Sequence, residues 1–399
     1  LDGRSWAQNC MRESENTDEV MPGNLDGIHV LDLSRVLAAP YATMALGDMG
    51  ATIIKIERPD MGDETRQWGP PFLGNESAYF LSANRNKKSC VVDLTDPAGQ
   101  DLVRTLATKW ADVVVENFKP GSLARYGLDL EALRRKNPRL VTATLRGYPE
   151  GDDRPGYDFV MQAGAGIMSL TGPPEGPPYK VGIAIADITA GLFLLSGILS
   201  ALVHRERTGQ GQHLNVSLFD AQLAWWANVG LAHLVTGQEP NRWGNAHPQL
   251  SPYELFEASD GYLAIAVGND RQFQFLAKAL EHPMWAKDIR YRTNPDRVKN
   301  RGRLHQIIQD VIQHRRVSDW VAILEDHGVP AGPVRTVPEA VAWRESLPHS
   351  PISVLEGVPQ IALPWDFSDT QSLPRTRPPQ LGEHTEEVWM LYHSLREGP

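Results

Sequence analysis

Cysteine is nearly absent: Cys10 and Cys90 are the two in 399 residues. Two are too few for a disulfide framework or a cysteine metal cluster, so no metal site is expected and a reducing compartment is the simpler home. Positive charge is also scarce, with 39 Lys and Arg against 49 Asp and Glu and a net charge of −10. That balance argues against a nucleic-acid partner and does not recommend an anionic membrane, although local basic pockets stay compatible with it. No secretory leader is visible, and residues 1–23 are polar and aperiodic, as expected of a flexible N-terminal arm. The longest apolar run follows Asp187 and is rich in Gly, Ala and Ser, which suits a core helix better than a membrane span. A Gly-x-Gly-x-x-Gly turn is missing after the first strand, so Glu57 is a weak candidate for the ribose-binding acid of a dinucleotide enzyme.

What the chain does contain is alternating strand and helix grammar, with a hydrophobic content of 41% that is ordinary for a soluble enzyme. Ile28–Leu33 reads as a strand, Ala38–Leu46 as a helix and Ala51–Ile56 as the next strand, a βαβ unit. Cys90–Leu94, Gly99–Lys109, Ala111–Val115 and Leu140–Leu145 repeat the pattern, and Gln212–Ser217 adds a strand before a helix from Phe219 that carries Trp225 and Trp226. This predicts an α/β chain with an open, mostly parallel, Rossmann-like large domain over residues 24–225. Hairpin signals at Tyr253–Phe256 and Tyr262–Val267 follow, then helical patterns at Asp270–Ala279, Arg301–Gln313 and Ser318–His327. They predict a smaller α+β domain with its linker over residues 226–330, and a proline-rich C-terminal return over residues 331–399 that ends in a helix, Thr385–His393.

Open α/β sheets bind ligands outside the carboxyl ends of their strands. Those ends deliver Arg58, then Asn117, Phe118 and Lys119, then Arg146 and Tyr148, with Lys87 and Lys88 ahead of the third strand. Basic sites gathered on one edge of an acidic chain suggest an anionic ligand with phosphates, and Phe118 or Tyr148 could cover an aromatic ring. Taken singly, Lys87 and Lys88 read as a solvated face, and Arg58 as a partner of Glu57 or Asp63. Asp187 lies between the apolar approach Gly182–Ala186 and the small-residue start of the long apolar helix. An aspartate there is either a plain helix cap or a reactive carboxylate at a cavity wall.

The motifs are family-specific when read together: Val30–Pro40, Leu46–Ala51, Ile54–Arg58, Asn84–Ser89, Val115–Gly121 and Arg207–Gln212. On them the chain resembles the class III coenzyme A transferases, from about Leu25 to Leu391. That group includes formyl-CoA transferase, the carnitine-pathway CoA-transferase and the alpha-methylacyl-CoA racemases. Trp68–Phe72 and Arg242–His247 are in the style of its dicarboxylate-using members.

The resemblance implies that Asp187 is the nucleophile, and that Arg35, Val36, Leu37, Arg58, Val92, Asn117, Phe118, Lys119, Arg125 and Arg146 contact CoA. It further implies an interlocked homodimer, with no prosthetic group and with acyl-CoA and small carboxylic acids as substrates. Succinyl-CoA would be the donor and a dicarboxylate such as glutarate the acceptor, with Arg35, Tyr157 and His247 on the substrate side. The compartment would be a bacterial cytoplasm or, in a eukaryote, the mitochondrial matrix. Two departures narrow the reading. Leu37 stands where formyl-CoA transferase has glutamine, and Asn245–Gln249 replaces its glycine-rich loop, which speaks against formyl and oxalyl groups. Tyr157 stands where the racemases carry a catalytic histidine, and a phenol with an ordinary pKa near 10 is a poor substitute for imidazole. A racemase, or a catalytically inert CoA-binding protein, are the alternatives.

Overall fold

The computed structural model describes residues 21–397. Most of the expected arm, including Cys10, therefore lies outside the described residues. The described residues divide into a larger unit of residues 21–167, 181–236 and 349–397 and a smaller unit of residues 168–180 and 237–348. These boundaries differ from the expected 225/226 and 330/331. The smaller unit takes in residues 168–180, whose sequence has no periodicity to mark them, and the return to the larger unit begins only at His349.

In the larger unit, β1 is His29–Asp32, followed by α1 (Ala38–Asp48), β2 (Thr52–Glu57) and β3 (Lys87–Val91). Next come α2 (Pro97–Lys109), β4 (Val113–Glu116), α3 (Leu130–Lys136) and β5 (Val141–Arg146). They are followed by α4 (Asp158–Gly164), α5 (Ile185–Thr208), β6 (His213–Ser217) and α6 (Leu218–Ala224). Trp225 and Trp226 do not extend α6; they form the corner before the helix Ala227–Thr236. The six strands are ordered β3-β2-β1-β4-β5-β6 and every pairing is parallel. The large-domain sheet is thus wholly parallel, with its topological switch point between β1 and β4.

Alternation along the strands sorts two cores. Val30, Val113, Val115, Val141 and Ala143 face α1 and α5, whereas Leu31, Ile54, Ile56 and Val114 face α2 and the C-terminal helix. That last helix, Thr385–Glu397, returns Val388 and Tyr392 to the second core, and the Tyr392 hydroxyl donates to Asp101 at 2.7 Å. α1 and α5 approach closely because Gly191 has no side chain: a Cβ there would lie 2.5 Å from the Ala38 carbonyl oxygen. α5 has the length and apolarity of a membrane span, yet 56% of its apolar window is buried against α1 and the sheet.

The smaller unit has its own core. A three-stranded antiparallel sheet of Tyr253–Ala258, Gly261–Ala266 and Ala331–Pro333 packs Phe256, Leu263 and Ile265 against helices Asp270–Ala279, Arg301–Ile312 and Val317–Asp326. This is the α+β unit that its hairpin and helix patterns predict.

Candidate active site

The loop after β1 enters the switch-point crevice in a strained conformation. Val36 has φ +73, costly for a β-branched residue by roughly 1–3 kcal/mol. Polar neighbours hold it there. The Asn117 side chain clamps Arg35, its Oδ1 accepting from Arg35 N at 2.9 Å and its Nδ2 donating to Arg35 O at 2.7 Å. Val36 N donates to both Asp63 oxygens at 3.3 Å, and Lys55 Nζ donates to Ser34 O at 2.7 Å.

Beneath this loop lies a fully buried ionic floor. Lys55 pairs with Asp63 at 3.0 Å, and Lys87 pairs with Asp32 at 3.0 Å. Lys87 is therefore not on a solvated face. It is sealed under α1, where it also donates to the Pro40 carbonyl at 2.9 Å. Burial opposes ionisation of Asp32, yet the Lys87 and Lys55 ammoniums hold its carboxyl down to about 2. Glu57 is likewise committed: it chelates Arg66 and accepts from Ser89, which leaves it no role as a ribose ligand.

Asp187 sits on the opposite side of the crevice, in the first turn of α5 and 8% exposed. It does not cap its helix. Ala184 holds the N-cap position without a side-chain bond, and the capping is done from α4. Asp158 Oδ1 accepts from Ala186 N at 2.7 Å and from Asp187 N at 3.4 Å, while its Oδ2 accepts from Gln162 Nε2 at 2.8 Å. The Asp187 carboxylate itself accepts no hydrogen bond among the described residues. Burial, and then the Asp158 charge, push it up to about 7. The same carboxylates reach Tyr79, whose phenol burial and the Asp187 and Asp158 charges raise to about 12.

Asp187 opens into a cavity of about 170 Å³. Of the residues expected from sequence, Arg35, Val36, Leu37, Asn117, Phe118, Lys119, Arg146 and Tyr157 line it. Arg35 and Phe118 also line a neighbouring cavity of about 260 Å³, which adds Arg58 and Val92. The Arg35 guanidinium lies 5.4 Å from the Phe118 ring centroid, at the join. Arg58 pairs with neither Glu57 nor Asp63; its Nε donates to Gly62 O at 3.1 Å.

Two expected residues stand apart from these cavities. Arg125 lines neither; on the short helix Ser122–Arg125 it donates to Ser122 Oγ at 3.1 Å. His247 belongs to the smaller unit, where its Nδ1 accepts from Gln249 N at 3.0 Å and Leu250 N at 3.1 Å. Burial and the Arg301 charge lower its pKa.

Sequence reasoning missed Asp63, Lys55, Asp158 as the cap, Tyr79 and Arg154. Arg154 lines the Asp187 cavity and stacks over Tyr148 at 4.2 Å. The signals available were slight: Gly62-Asp63-Glu64-Thr65 has the form of a capped turn, and Tyr157-Asp158 that of a helix start.

The cavity also receives the start of α1. Leu37 and Ala38 line it, and that helix has no side-chain cap, so its first N–H groups are available to an incoming oxyanion. A strained loop at the switch point of a parallel sheet thus faces a buried, hard-to-ionise carboxylate across one cavity.

Comparison with known proteins identifies the class. Residues 25–385 match CoA-transferase family III, and the chain belongs to that family. It moves CoA between an acyl-CoA and a free carboxylate. The chain is 42% identical to the succinate–glutarate CoA-transferase of Agrobacterium fabrum over 91% of its own length and 94% of the relative's. It is 39% identical to the acetyl-CoA:oxalate CoA-transferase of Acetobacter aceti over 82% of its length and 85% of that protein's. Among solved structures, a CAIB/BAIF family protein from Brucella suis superposes with a TM-score of 0.84 at 41% identity, covering 93% of this chain and 100% of that one. Among the described residues no group of three or more His, Cys, Asp or Glu could hold a metal ion.

Proposed function

We propose that the enzyme transfers CoA from succinyl-CoA to a dicarboxylate such as glutarate, through an aspartyl-CoA thioester on Asp187. One observation carries the covalent route: Asp187 is a buried carboxylate without a hydrogen bond, in a cavity that no histidine lines. A desolvated, unbonded carboxylate is a better nucleophile than a solvated one, and a thioester offers a good thiolate leaving group.

Asp187 Oδ attacks the thioester carbonyl, forming an acyl-aspartyl anhydride and releasing CoA thiolate. The thiolate then attacks the aspartyl carbonyl, giving aspartyl-CoA and freeing the donor acid. The acceptor carboxylate attacks the aspartyl-CoA carbonyl to make a second anhydride, breaking the C–S bond and releasing CoA thiolate again. CoA thiolate reopens that anhydride at the acceptor's acyl carbon, and Asp187 is regenerated. Each tetrahedral oxyanion needs donors in a closed pocket, and the uncapped start of α1 and the cations Arg35, Lys119 and Arg146 are the groups suited to that role. Arg58 and Val92 in the second cavity would take the nucleotide end of CoA, with the phosphates against the guanidinium.

The dicarboxylate preference rests on Trp68–Phe72, on Asn245–Gln249 and on likeness to the succinate–glutarate relative, whereas the oxalate relative, at 39% identity, is the competitor that experiment must exclude. A homodimer is part of the same reading. Leu231, Leu234 and Val235 on the helix Ala227–Thr236 are 61%, 74% and 76% exposed, and Leu192, Phe193 and Val203 face outward on α5, an apolar area suited to a second copy.

The test is a panel of acids offered to the enzyme with succinyl-CoA: glutarate, malate, itaconate, mesaconate, citramalate, acetate, formate and oxalate. The longer dicarboxylates, glutarate, malate, itaconate, mesaconate and citramalate, should accept CoA. Acceptance by formate or oxalate alone would end that reading, and epimerisation of a 2-methylacyl-CoA without transfer would favour the racemase.

A further inference from the structure

On the sheet face opposite Asp187, the end of β4 and β5 present Glu116, Thr142 and Thr144 where β1 and β2 present Leu31 and Ile54. α3 bridges over them and leaves a cavity of about 320 Å³, closed on the edge-strand side by His213. Its walls carry charges of both signs, but the two signs are not equally committed.

Every acid in the wall has a partner. Glu116 accepts from Thr144 Oγ1 at 2.5 Å and Phe118 N at 2.7 Å. Asp129 caps α3 through Ala132 N at 2.7 Å, and Glu131 pairs with Arg135 at 2.6 Å. His213 is engaged by Thr142 at 2.9 Å and Asn215 at 3.1 Å. The cations are not so occupied. Lys119 and Arg146 form no ion pair or side-chain hydrogen bond among the described residues. Arg134 makes one bond, from Nη2 to Gly211 O at 3.2 Å, and its Nε is buried without a partner. A buried donor left unpaired costs free energy that a bound acceptor would recover.

We propose that this cavity is a second anion site, in which Arg134, Lys119 and Arg146 hold a small oxyanion, phosphate or carboxylate. The Thr142 and Thr144 hydroxyls form its floor. Burial pushes the Glu116 carboxyl up, and its two oxygens are taken by Thr144 and Phe118 N. Lys119 and Arg146 line the Asp187 cavity as well, so an anion here competes for two cations of the acyl-CoA groove. Occupancy would then weaken acyl-CoA binding, and acyl-CoA would weaken the anion by the same factor. That coupling rests on the proposed groove; the anion site does not.

The experiment titrates the intact enzyme with inorganic phosphate and, separately, with glutarate, by calorimetry at ionic strength held constant with potassium chloride. It is repeated on Arg134→Gln, and on His213→Glu, which adds a carboxylate from an exposed edge-strand position. In the wild type at least one oxyanion should bind, and each variant should weaken it at least tenfold, with KM for acyl-CoA in anion-free buffer within twofold of normal. Which titrant loses its heat identifies the source of the oxyanion. Undiminished binding in both folded variants would assign the anion to the acyl-CoA groove and overturn the second site, as would the absence of any heat with either titrant. Neither result requires acyl transfer, so the outcome is separable from the fate of the Asp187 mechanism.

Discussion

Asp32, in the ionic floor beneath the loop after β1, and Asp187, at the wall of the cavity, are both buried aspartates, and they are held in opposite ways. Asp32 accepts from Ser34 N, Thr43 and the Lys87 ammonium, and it is held down to about 2. Asp187 has no donor, faces a second carboxylate and is pushed up to about 7. Burial penalises both charges; what differs is whether the protein repays that cost with cations and hydrogen bonds. The first carboxylate helps to fix the loop after β1. The second is the one the proposed mechanism uses as nucleophile.

The sharpest way to break this contrast is to remove each carboxylate in turn. Asp187→Ala should lower turnover roughly 10⁴-fold or more, above 5 kcal/mol of barrier, with acyl-CoA binding retained. Hydroxylamine trapping followed by peptide mass mapping should mark Asp187 in the wild type, and an adduct on Asp158 instead would refute the assignment. Asp187→Asn should be equally inactive yet more heat-stable than the wild type at pH 8. The sign follows from a folded pKa of about 7 above the ordinary 3.8: the ionised group destabilises the fold, not at all below about pH 4 and fully above about 7. A melting temperature equal to or below that of the wild type at pH 8 would contradict it.

Asp32→Asn should do the reverse, leaving Lys87 unpaired in the interior and costing about 3–5 kcal/mol in a denaturant titration, with activity lost only in step with folding. Arg58→Ala tests the far end of the groove and should weaken acyl-CoA binding by about 1.5–3 kcal/mol; an unchanged dissociation constant would remove Arg58 from the site. The smallest effect is expected from Asp158→Asn, which keeps an oxygen to cap α5 but removes the facing charge. Transfer in the wild type should rise as pH increases through about 7, and this variant should move that midpoint downward. Tyr79, Tyr157, the carboxylates Glu64, Asp152 and Asp153 and the cations Arg35, Lys119, Arg146 and Arg154 remain as the other charged or titratable groups near Asp187. An unshifted midpoint would mean that burial alone sets the Asp187 proton affinity.

The crevice was legible because strand ends follow from apolar runs, and in a parallel sheet those ends share one edge. That logic brought Asn117, Phe118, Lys119 and Arg146 together before any coordinates. It failed at Lys87, which with Lys88 reads as a solvated face while its partner Asp32 lies 55 positions away. It failed as well to find the cap of α5, which comes from Asp158, 28 positions upstream of Ala186. A charged residue's fate depends on who meets it in space, and local periodicity carries no record of that. Residues 168–180 group with the smaller unit for the same reason: they pair Tyr179 N with Thr171 O and give Arg242 the Pro173 and Gly176 carbonyls, contacts that no pattern announces.

The C-terminal helix that returns Val388 and Tyr392 to the sheet has a consequence for biosynthesis. Strands β1 to β5 leave the ribosome more than two hundred residues before the element that covers part of their second face. During that interval the nascent chain carries an apolar patch that its own later sequence will cover. A stop codon before Val388 would spare every proposed site residue, yet still yield a protein whose exposed apolar patch makes it a substrate for chaperones or proteolysis.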